Sequence, residues 1–252
     1  MIDVNCYILP NFGEGAKHME ESVAIAKEAE NQGVKSIIAS PKQMIEEHHF
    51  FIPEVIEGVR ELNNRLEKEH VKVNILTGQT VPIHGDIIEM IDADELLFLN
   101  NTKYMLMDLP ENHLPQYTSK VIYDLQLRGY QPIIAHPEKY GWVEEEPNAI
   151  YELVKAGALI QVCSSSVIGA HGKRIEKLSK KLIEHNLVHL VASEAKDRKH
   201  YHYKKALDSI RKEFGHNQEY YFIENGFAVA NDEPVIGNEP LRIKVKKIFG
   251  LF

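Results

Sequence analysis

Polar or charged side chains stand at, or shortly after, the ends of six predicted β-strands. The strands are predicted at residues 2–9, 35–39, 71–76, 104–108, 131–136 and 187–192. The side chains that these strands carry or lead into are Asn5, Tyr7, Lys42, Thr80, Asp108, His136 and Glu194. Carboxylates and imidazoles bind metal ions, whereas a lysine amine binds phosphate as a point charge. Because the carboxyl ends of parallel strands in a β/α barrel converge on one face, we expect these residues to share one pocket.

Helical periodicity follows most of these strands, which predicts an α/β fold of the (β/α) barrel type. Helices are predicted at residues 19–32, 53–69, 85–91, 115–128, 147–156, 173–186 and 203–214. In the second of them, an apolar stripe is formed by Val55, Ile56, Val59, Leu62 and Leu66. The 252-residue chain is 44% hydrophobic and shows no linker or internal repeat, so residues 1–252 are predicted to form a single domain.

The charge balance argues against general nucleic-acid binding. The chain has 29 basic and 37 acidic residues and a net charge of -8, whereas phosphate backbones require a cationic face. The exception is a basic and apolar tail at about residues 240–252, which contains Arg242, Lys244, Lys246 and Lys247. This tail is interpreted either as an arm that contacts a partner or an anionic surface, or as a solvated terminus.

Cysteine content and hydropathy place the chain among soluble proteins. Cys6 and Cys163 are too few for a disulfide framework, and no apolar stretch approaches the roughly 18 residues that span a bilayer. The first residues also lack the pattern of an export signal. We therefore expect a cytoplasmic protein without a transmembrane segment.

An ordered series of short motifs resembles the PHP (polymerase and histidinol phosphatase) superfamily. The resemblance is specific to the manganese-dependent protein tyrosine phosphatases of bacterial capsule and exopolysaccharide clusters. It is carried by residues 1–10, 78–79, 104–110, 124–130, 134–138, 192–193 and 249–252, and so covers nearly the whole chain. The fold that it implies is a distorted, seven-stranded (β/α) barrel, and the activity that it implies is metal-dependent phosphoester hydrolysis.

Most metal ligands that the resemblance implies are replaced in this chain. The family opens with Asp-x-His-x-His, but here Asn5 and Tyr7 stand at the two histidine positions. Pro-His-His after the second strand is represented by Lys42 and Gln43, and a bridging glutamate by Thr80. The late Ser-Asp-Ala-His contains Glu194 and Lys196 instead, and an arginine expected to meet phosphate is Lys139. The remaining metal-binding side chains are Asp108, His136 and Glu194, with Asn5 and Thr80 as weak donors. We expect no tightly bound metal, or at most one weakly held manganese ion.

The lysines at these positions support two interpretations. If Lys42, Lys139 and Lys196 converge, they present positive charge where a substrate phosphate meets metal ions in the family, and the pocket binds anions. Alternatively, Lys42 and Lys196 pair with Asp108 and Glu194, and the site is a structural cluster of salt bridges.

Other potentially reactive side chains are assigned structural roles. His48, His49, His200 and His202 lack a spacing tied to further ligands, so surface loops are expected there. Cys6 is expected to face away from Asn5 and Tyr7, as a small core residue. Cys163 precedes His171 without an oxyanion motif, so a nucleophile and base are not expected.

Two functions follow from the sequence. The first is a catalytically impaired pseudophosphatase that binds a phosphorylated or acidic partner. The partner that the resemblance suggests is a bacterial tyrosine kinase or another phosphotyrosine protein. The second is a slow phosphoesterase that uses a single metal ion at Asp108, His136 and Glu194.

Overall fold

The fold consists of parallel strands that alternate with helices, as the computed structural model shows for residues 1–42 and 52–244. The strands in this described part are β1 Ile2–Cys6, β2 Ser36–Ala39, β3 Asn74–Leu76, β4 Thr80–Pro82, β5 Tyr104–Asp108, β6 Gln131–Ala135, β7 Leu159–Cys163 and β8 Leu190–Ala192. They form a three-stranded sheet in the order β1-β2-β3 and a five-stranded sheet in the order β4-β5-β6-β7-β8. All neighbouring strands within these sheets are parallel.

Helices cover the sheets. They are α1 Met19–Asn31, α2 Ile52–Lys68, α3 Ile87–Asp92, α4 Thr118–Leu127, α5 Gly141–Glu145, α6 Asn148–Lys155, α7 Ser164–Val167, α8 Lys173–Glu184, α9 Tyr203–Phe214 and α10 His216–Ala230. Short 3-10 turns occur at Leu99–Asn101, Pro137–Lys139 and Arg198–His200. Among the described residues, no helix combines the length and the apolar character needed to cross a membrane.

Backbone hydrogen bonds join the two sheets, from the start of β4 to the segment after β2 and from the loop after β8 to β1 and the residues that follow it. The Thr80 amide donates to the Pro41 carbonyl, and the Glu194 amide donates to the Asn5 carbonyl, at 3.1 and 2.9 Å. A further amide, that of Tyr7, donates to the Ala195 carbonyl at 3.1 Å. The α/β architecture with parallel strands is confirmed. A seven-stranded barrel is not confirmed, because eight strands in two sheets are present in the described residues.

Both faces of the strands are buried, which explains their continuous apolar character. One core cluster lies between the strands and the surrounding helices and includes Ile37, Met105 and Ile134. The other lies on the opposite strand face and includes Val4, Leu106 and Ile133. In α2, the predicted stripe is buried at Val55, Val59, Leu62 and Leu66, but Ile56 is 48% exposed.

The tail is described only as far as residue 244, and there it packs on the protein. Asn148 of α6 donates to the Ile243 carbonyl and accepts from the Ile243 amide, at 2.9 and 2.8 Å. Arg242 pairs with Glu152 and covers the ring of Tyr151. The first part of the tail is therefore anchored. The predicted contacts of residues 245–252 lie outside the described residues.

Candidate functional site

A pocket of about 470 Å³ opens at the carboxyl ends of the strands. Its lining includes residues that follow four different strands: Tyr7, Lys42, His136, Lys139, Glu194 and Lys196. These residues were predicted to share one pocket, and the structure brings them together. Asn5 and Thr80 are completely buried beside the pocket, and Asp108 is 6% exposed.

His136 lies between two carboxylates at the pocket floor. Its Nε2 is 3.1 Å from Oδ1 of Asp108, and its Nδ1 is 3.1 Å from Oε1 of Glu194. The first contact is a hydrogen bond. The second has the distance of an ion pair but lacks hydrogen-bond alignment, so Nδ1 has no hydrogen-bond partner. Carboxylates therefore approach both nitrogens of the imidazole.

The backbone holds His136 and Glu194 in an unusual conformation. Their φ angles are 36° and 50°, in the left-handed region that residues other than glycine seldom adopt. The loop after β8 is fixed to β1, because the Ser193 amide donates to Oδ1 of Asp3 at 2.9 Å. Such strain persists where the surroundings determine the conformation, and it concentrates at functional sites.

Two lysine ammonium groups neutralise the carboxylates. Lys42 Nζ forms a close ion pair with Oδ2 of Asp108, and Lys139 Nζ lies 2.5 Å from Oε2 of Glu194. Lys139 reaches Glu194 from the 3-10 turn Pro137–Lys139, which directly follows His136. The interpretation as internal salt bridges thus describes Lys42 as observed. It assigned the wrong lysine to Glu194, because Lys139 and not Lys196 pairs with it.

Burial and charge together set the ionisation of this cluster. Burial by itself raises the pKa of Glu194, but the charges of His136 and Lys139 outweigh it and hold that pKa well below its usual range. Burial also raises the pKa of Asp108. The hydrogen bond and charge of His136, together with the contact of Lys42, outweigh burial and lower that pKa. For His136, burial lowers the pKa, but Glu194 and Asp108 raise it to about 9. At neutral pH the imidazole is therefore cationic and both carboxylates are ionised.

Buried amides orient Glu194. Gln161 donates from Nε2 to Oε1 of Glu194 at 2.9 Å, and its Oε1 accepts from Asn5 Nδ2 at 2.9 Å. The Asn5 Oδ1 accepts from the Ser40 hydroxyl at 2.5 Å. The Thr80 hydroxyl is also engaged, since it donates to the Ser40 carbonyl at 3.1 Å. Asn5 and Thr80 thus stabilise the site from below the pocket.

Further residues around Asp108 and the pocket wall were not predicted. The hydroxyl of Tyr140 lies 2.6 Å from Oδ1 of Asp108. Glu138 is 2% exposed, accepts from the Cys163 amide at 2.9 Å, and has its pKa raised by burial. Gln161 had a detectable signal, because it is a polar residue within the apolar strand Leu159–Cys163. Tyr140 had none, since its role depends on the turn that precedes it.

Lys196 lies at the rim and does not join the inner lysines. Its Nζ is 3.2 Å from Oε2 of Glu14, and the two side chains are 53% and 85% exposed. All three lysines line the pocket, but they have different partners: two bind the inner carboxylates, and the third pairs with an exposed carboxylate. Anion binding by the three lysines stays a prediction. Tyr7 lines the pocket, and burial followed by the charge of Glu194 raises its pKa.

The described residues can be compared with what a metal ion requires of its ligands. No group of three or more His, Cys, Asp or Glu residues within 1–42 and 52–244 has an arrangement that could hold one. A metal ligand must offer a lone pair, but both nitrogens of cationic His136 face carboxylates. The outer oxygens of Asp108 and Glu194 face lysine ammonium groups. The carboxylate oxygens of Asp108 and Glu194 therefore contact cationic side chains of the chain itself.

The other potentially reactive cysteines and histidines contact groups of the protein itself. Burial raises the pKa of Cys163 to about 12, so its thiol is not an activated nucleophile. His171 lies 3.2 Å from the Ser166 hydroxyl through Nδ1. His200 pairs with Asp197, and its ring is 6.4 Å from that of His202. The buried thiol of Cys6 faces the Ala195 carbonyl at 3.2 Å. His48 and His49 lie outside the described residues.

The sequence matches a known family over most of its length. A family model described as capsular polysaccharide synthesis, CpsB/CapC, matches residues 1–231. The tyrosine-protein phosphatase YwqE of Bacillus subtilis strain 168 is 38% identical over 100% of both chains. The putative tyrosine-protein phosphatase CapC of Staphylococcus aureus is 32% identical, also over 100% of both.

A solved structure has the same fold. It is one of the crystal structures of YwqE from Bacillus subtilis and CpsB from Streptococcus pneumoniae, which are described as unique metal-dependent tyrosine phosphatases. The TM-score is 0.95 at 37% identity, with 97% of this chain and 100% of that chain covered. The resemblance found in the sequence motifs is confirmed at the level of the family, whereas the impaired metal site and its consequences stay predictions. The chain belongs to the CpsB/CapC family of capsular polysaccharide synthesis proteins.

Proposed function

We propose that this chain is a pseudophosphatase: it binds a phosphotyrosine-bearing segment of a partner protein in the strand-end pocket and does not hydrolyse it by metal-dependent chemistry. The observation that carries the proposal is the placement of Lys42 on Asp108 and of Lys139 on Glu194. The two ammonium groups contact the carboxylate oxygens that would otherwise be available to metal ions. The names of the relatives, tyrosine-protein phosphatases, support phosphotyrosine as the ligand class.

The hydrolytic step lacks its means of activating water. Metal-dependent phosphoester hydrolysis needs an ion that lowers the pKa of bound water and stabilises charge on the phosphoryl oxygens. Asp108, His136 and Glu194 have their donor atoms directed at one another and at the lysines. The alternative, a slow phosphoesterase with one ion on these three residues, requires Lys42 and Lys139 to withdraw and His136 to lose its proton.

The charge of the pocket favours an anion. Three cationic side chains, Lys42, Lys139 and His136, face two carboxylates, so the inner cluster is positive at neutral pH. At the rim, Lys196 adds a fourth cation and Glu14 and Glu111 add two carboxylates, so the excess positive charge belongs to the inner cluster. A phosphate ester carries nearly two negative charges at neutral pH and gains from each of these cations. The phosphorylated tail of a bacterial tyrosine kinase is one source of a phosphotyrosine segment.

Two measurements test the proposal. Phosphate release from a phosphotyrosine peptide with added Mn²⁺ is measured for this chain beside YwqE of Bacillus subtilis. We expect release near background, and a turnover of about 1 per second or more would overturn the pseudophosphatase assignment. Calorimetric titration then compares the phosphorylated with the unphosphorylated peptide, and equal affinity for the two would refute phosphotyrosine recognition.

Lysine variants localise the binding. Lys42→Ala is expected to weaken binding of the phosphopeptide, because it removes a cation from the pocket wall. The matched control is Lys120→Ala, which removes the same charge from the outer face of α4, where Lys120 is 77% exposed. An equal loss in both variants would indicate a general charge effect instead of a site.

A further inference from the structure

The three pocket lysines differ in how firmly their partners hold them. Lys42 and Lys139 have side chains that are 51% and 28% exposed, but they pair with carboxylates that are only 7% and 3% exposed. Lys196 pairs with Glu14, which is 85% exposed. An ion pair between solvated side chains contributes only about 0 to 1 kcal/mol, whereas leaving a buried carboxylate without its cation costs several times more. Of these three lysines, Lys196 therefore leaves its partner most easily.

The loop before α1 is built to keep Glu14 at the pocket mouth. The Ala16 amide donates to the Tyr7 carbonyl and the Gly15 amide to the Phe12 carbonyl, at 3.0 and 2.8 Å. Gly13 has a φ of 51°, and a Cβ at Gly15 would lie 2.7 Å from the Leu9 carbonyl oxygen. The two backbone hydrogen bonds and the close packing at Gly15 thus restrict the position of the Glu14 backbone, while its carboxylate stays in solvent beside Lys196.

We propose that Lys196 is the residue that first receives the ligand phosphate, and that Glu14 is the internal competitor which the ligand displaces. This inference rests on the proposed function. The exchange selects for charge: a phosphotyrosine dianion replaces one carboxylate charge with two, whereas an aspartate or glutamate side chain of an acidic peptide replaces it with an equal charge. The pair Glu14–Lys196 therefore makes the pocket select phosphotyrosine over acidic peptides.

The test is calorimetric titration of O-phospho-L-tyrosine into the full chain and three variants: Glu14→Gln, Lys196→Gln and the double variant. We expect Glu14→Gln to tighten binding about threefold to fivefold, the range that a solvated ion pair allows. Lys196→Gln is expected to weaken it by a similar factor or more. In the Lys196→Gln background, Glu14→Gln should change affinity by less than about twofold, because the ammonium group for which Glu14 and the ligand compete is absent.

Asp124→Asn provides the matched control. It removes one negative charge from an ion pair with Lys120 on α4, outside the pocket lining. We expect no change in affinity, so an effect equal to that of Glu14→Gln would reduce the inference to net charge. Unchanged or weaker binding by Glu14→Gln would overturn it as well, and so would full additivity in the double variant.

The outcomes separate this inference from the proposed function. If the wild type binds O-phospho-L-tyrosine and Glu14→Gln leaves the affinity unchanged, only the competition between Glu14 and the ligand is refuted. If the wild type fails to bind but Glu14→Gln binds, the competition is supported and constitutive binding by the wild type is refuted. If neither binds, both proposals fail. A selectivity arm replaces phosphotyrosine by a glutamate-rich peptide, for which equal affinity would contradict the charge selection.

Discussion

Replacing Lys139 by methionine is expected to destabilise the fold far more than the same change at Lys196. Lys139 Nζ lies 2.5 Å from a Glu194 side chain that is 3% exposed. Methionine matches the lysine side chain as far as Cε but leaves that carboxylate without its ammonium partner. Removing one member of a buried ion pair costs about 3 to 5 kcal/mol, because the other charge stays buried.

The remaining contacts of Glu194 place the cost near the lower limit. His136 stays 3.1 Å from Oε1, and Gln161 still donates to that oxygen at 2.9 Å. We therefore expect a loss of about 3 kcal/mol in the free energy of unfolding. In a chain of this length 1 kcal/mol shifts Tm by about 2 to 4 °C, so Lys139→Met should lower Tm by roughly 6 to 12 °C.

Lys196→Met is the matched control, since it removes the same charge from the same pocket. Its partner Glu14 is 85% exposed, so we expect a loss of at most about 1 kcal/mol. Urea unfolding at pH 7 and differential scanning calorimetry measure both variants. The double variant Lys139→Met, Glu194→Gln should recover part of the loss, because it leaves no unpaired charge.

Equal destabilisation by Lys139→Met and Lys196→Met would refute the reasoning. It would mean that the Lys139 pair is solvated and contributes no more than a surface contact. A double variant as unstable as the sum of its single changes would also contradict it, since the two side chains would then act independently.

Three further predictions address metal, anion binding and pH. Elemental analysis after dialysis should find less than one Mn, Fe or Zn per chain, because the donors of Asp108, His136 and Glu194 face one another and the lysines; two retained equivalents would contradict this. Phosphopeptide affinity should fall as salt rises, and it should increase in Asp108→Asn, because this change releases Lys42. Titrations of the wild type at low and high salt check the first effect, and a titration of Asp108→Asn checks the second. Burial lowers the pKa of His189 to about 4, so its contribution to stability is complete above the unfolded pKa of about 6.5 and is lost as pH falls through 4. Urea unfolding should therefore show wild type losing up to about 3 kcal/mol between pH 7 and pH 4 relative to His189→Asn, and parallel pH profiles would exclude this role.

The positions of most strands could be predicted because buried parallel strands have a simple sequence pattern. Tyr104–Asp108 is observed as predicted, and the strand predicted at 131–136 ends one residue earlier, at Ala135. Thr80–Pro82 is only three residues long and shows no pattern of its own, since the sheet neighbour Tyr104–Asp108 determines it. The strand predicted at 2–9 ends at Cys6, and its pairing register with β2 shifts between Asp3 and Cys6.

The last helix depends on contacts that are remote in sequence. His216–Ala230 contains Asn225, which is buried and donates to the His189 and Ile236 carbonyls. Gly226 brings the helix close to β1, since a Cβ there would lie 3.2 Å from the Ile2 carbonyl oxygen. Both residues weaken a helical pattern in isolation, and both are explained only by tertiary packing.

The composition of the candidate site could be predicted, but its pairing could not. Strand ends identify Asp108, His136 and Glu194 as neighbours, because the topology brings them to one face. Which lysine meets Glu194 depends on the left-handed backbone at His136, with a φ of 36°, and on the 3-10 turn that follows. That turn directs Lys139 inward, whereas Lys196 lies beyond Glu194 on the rim. Sequence spacing carries no information on this choice.

Exchanging metal ions for lysines changes the conditions to which such a pocket responds. A metal ion can be removed or exchanged, and its carboxylate ligands then repel one another until protons or other cations neutralise them. Lys42 and Lys139 are covalently part of the chain, so Asp108 and Glu194 stay neutralised whatever ions are present. The same ammonium groups cannot activate water as a metal ion does, although they balance the charge of the two carboxylates. The proposed loss of catalysis and the proposed phosphate affinity therefore rest on a single substitution pattern, and we propose that a ligand alters the exposed pair of Lys196 with Glu14.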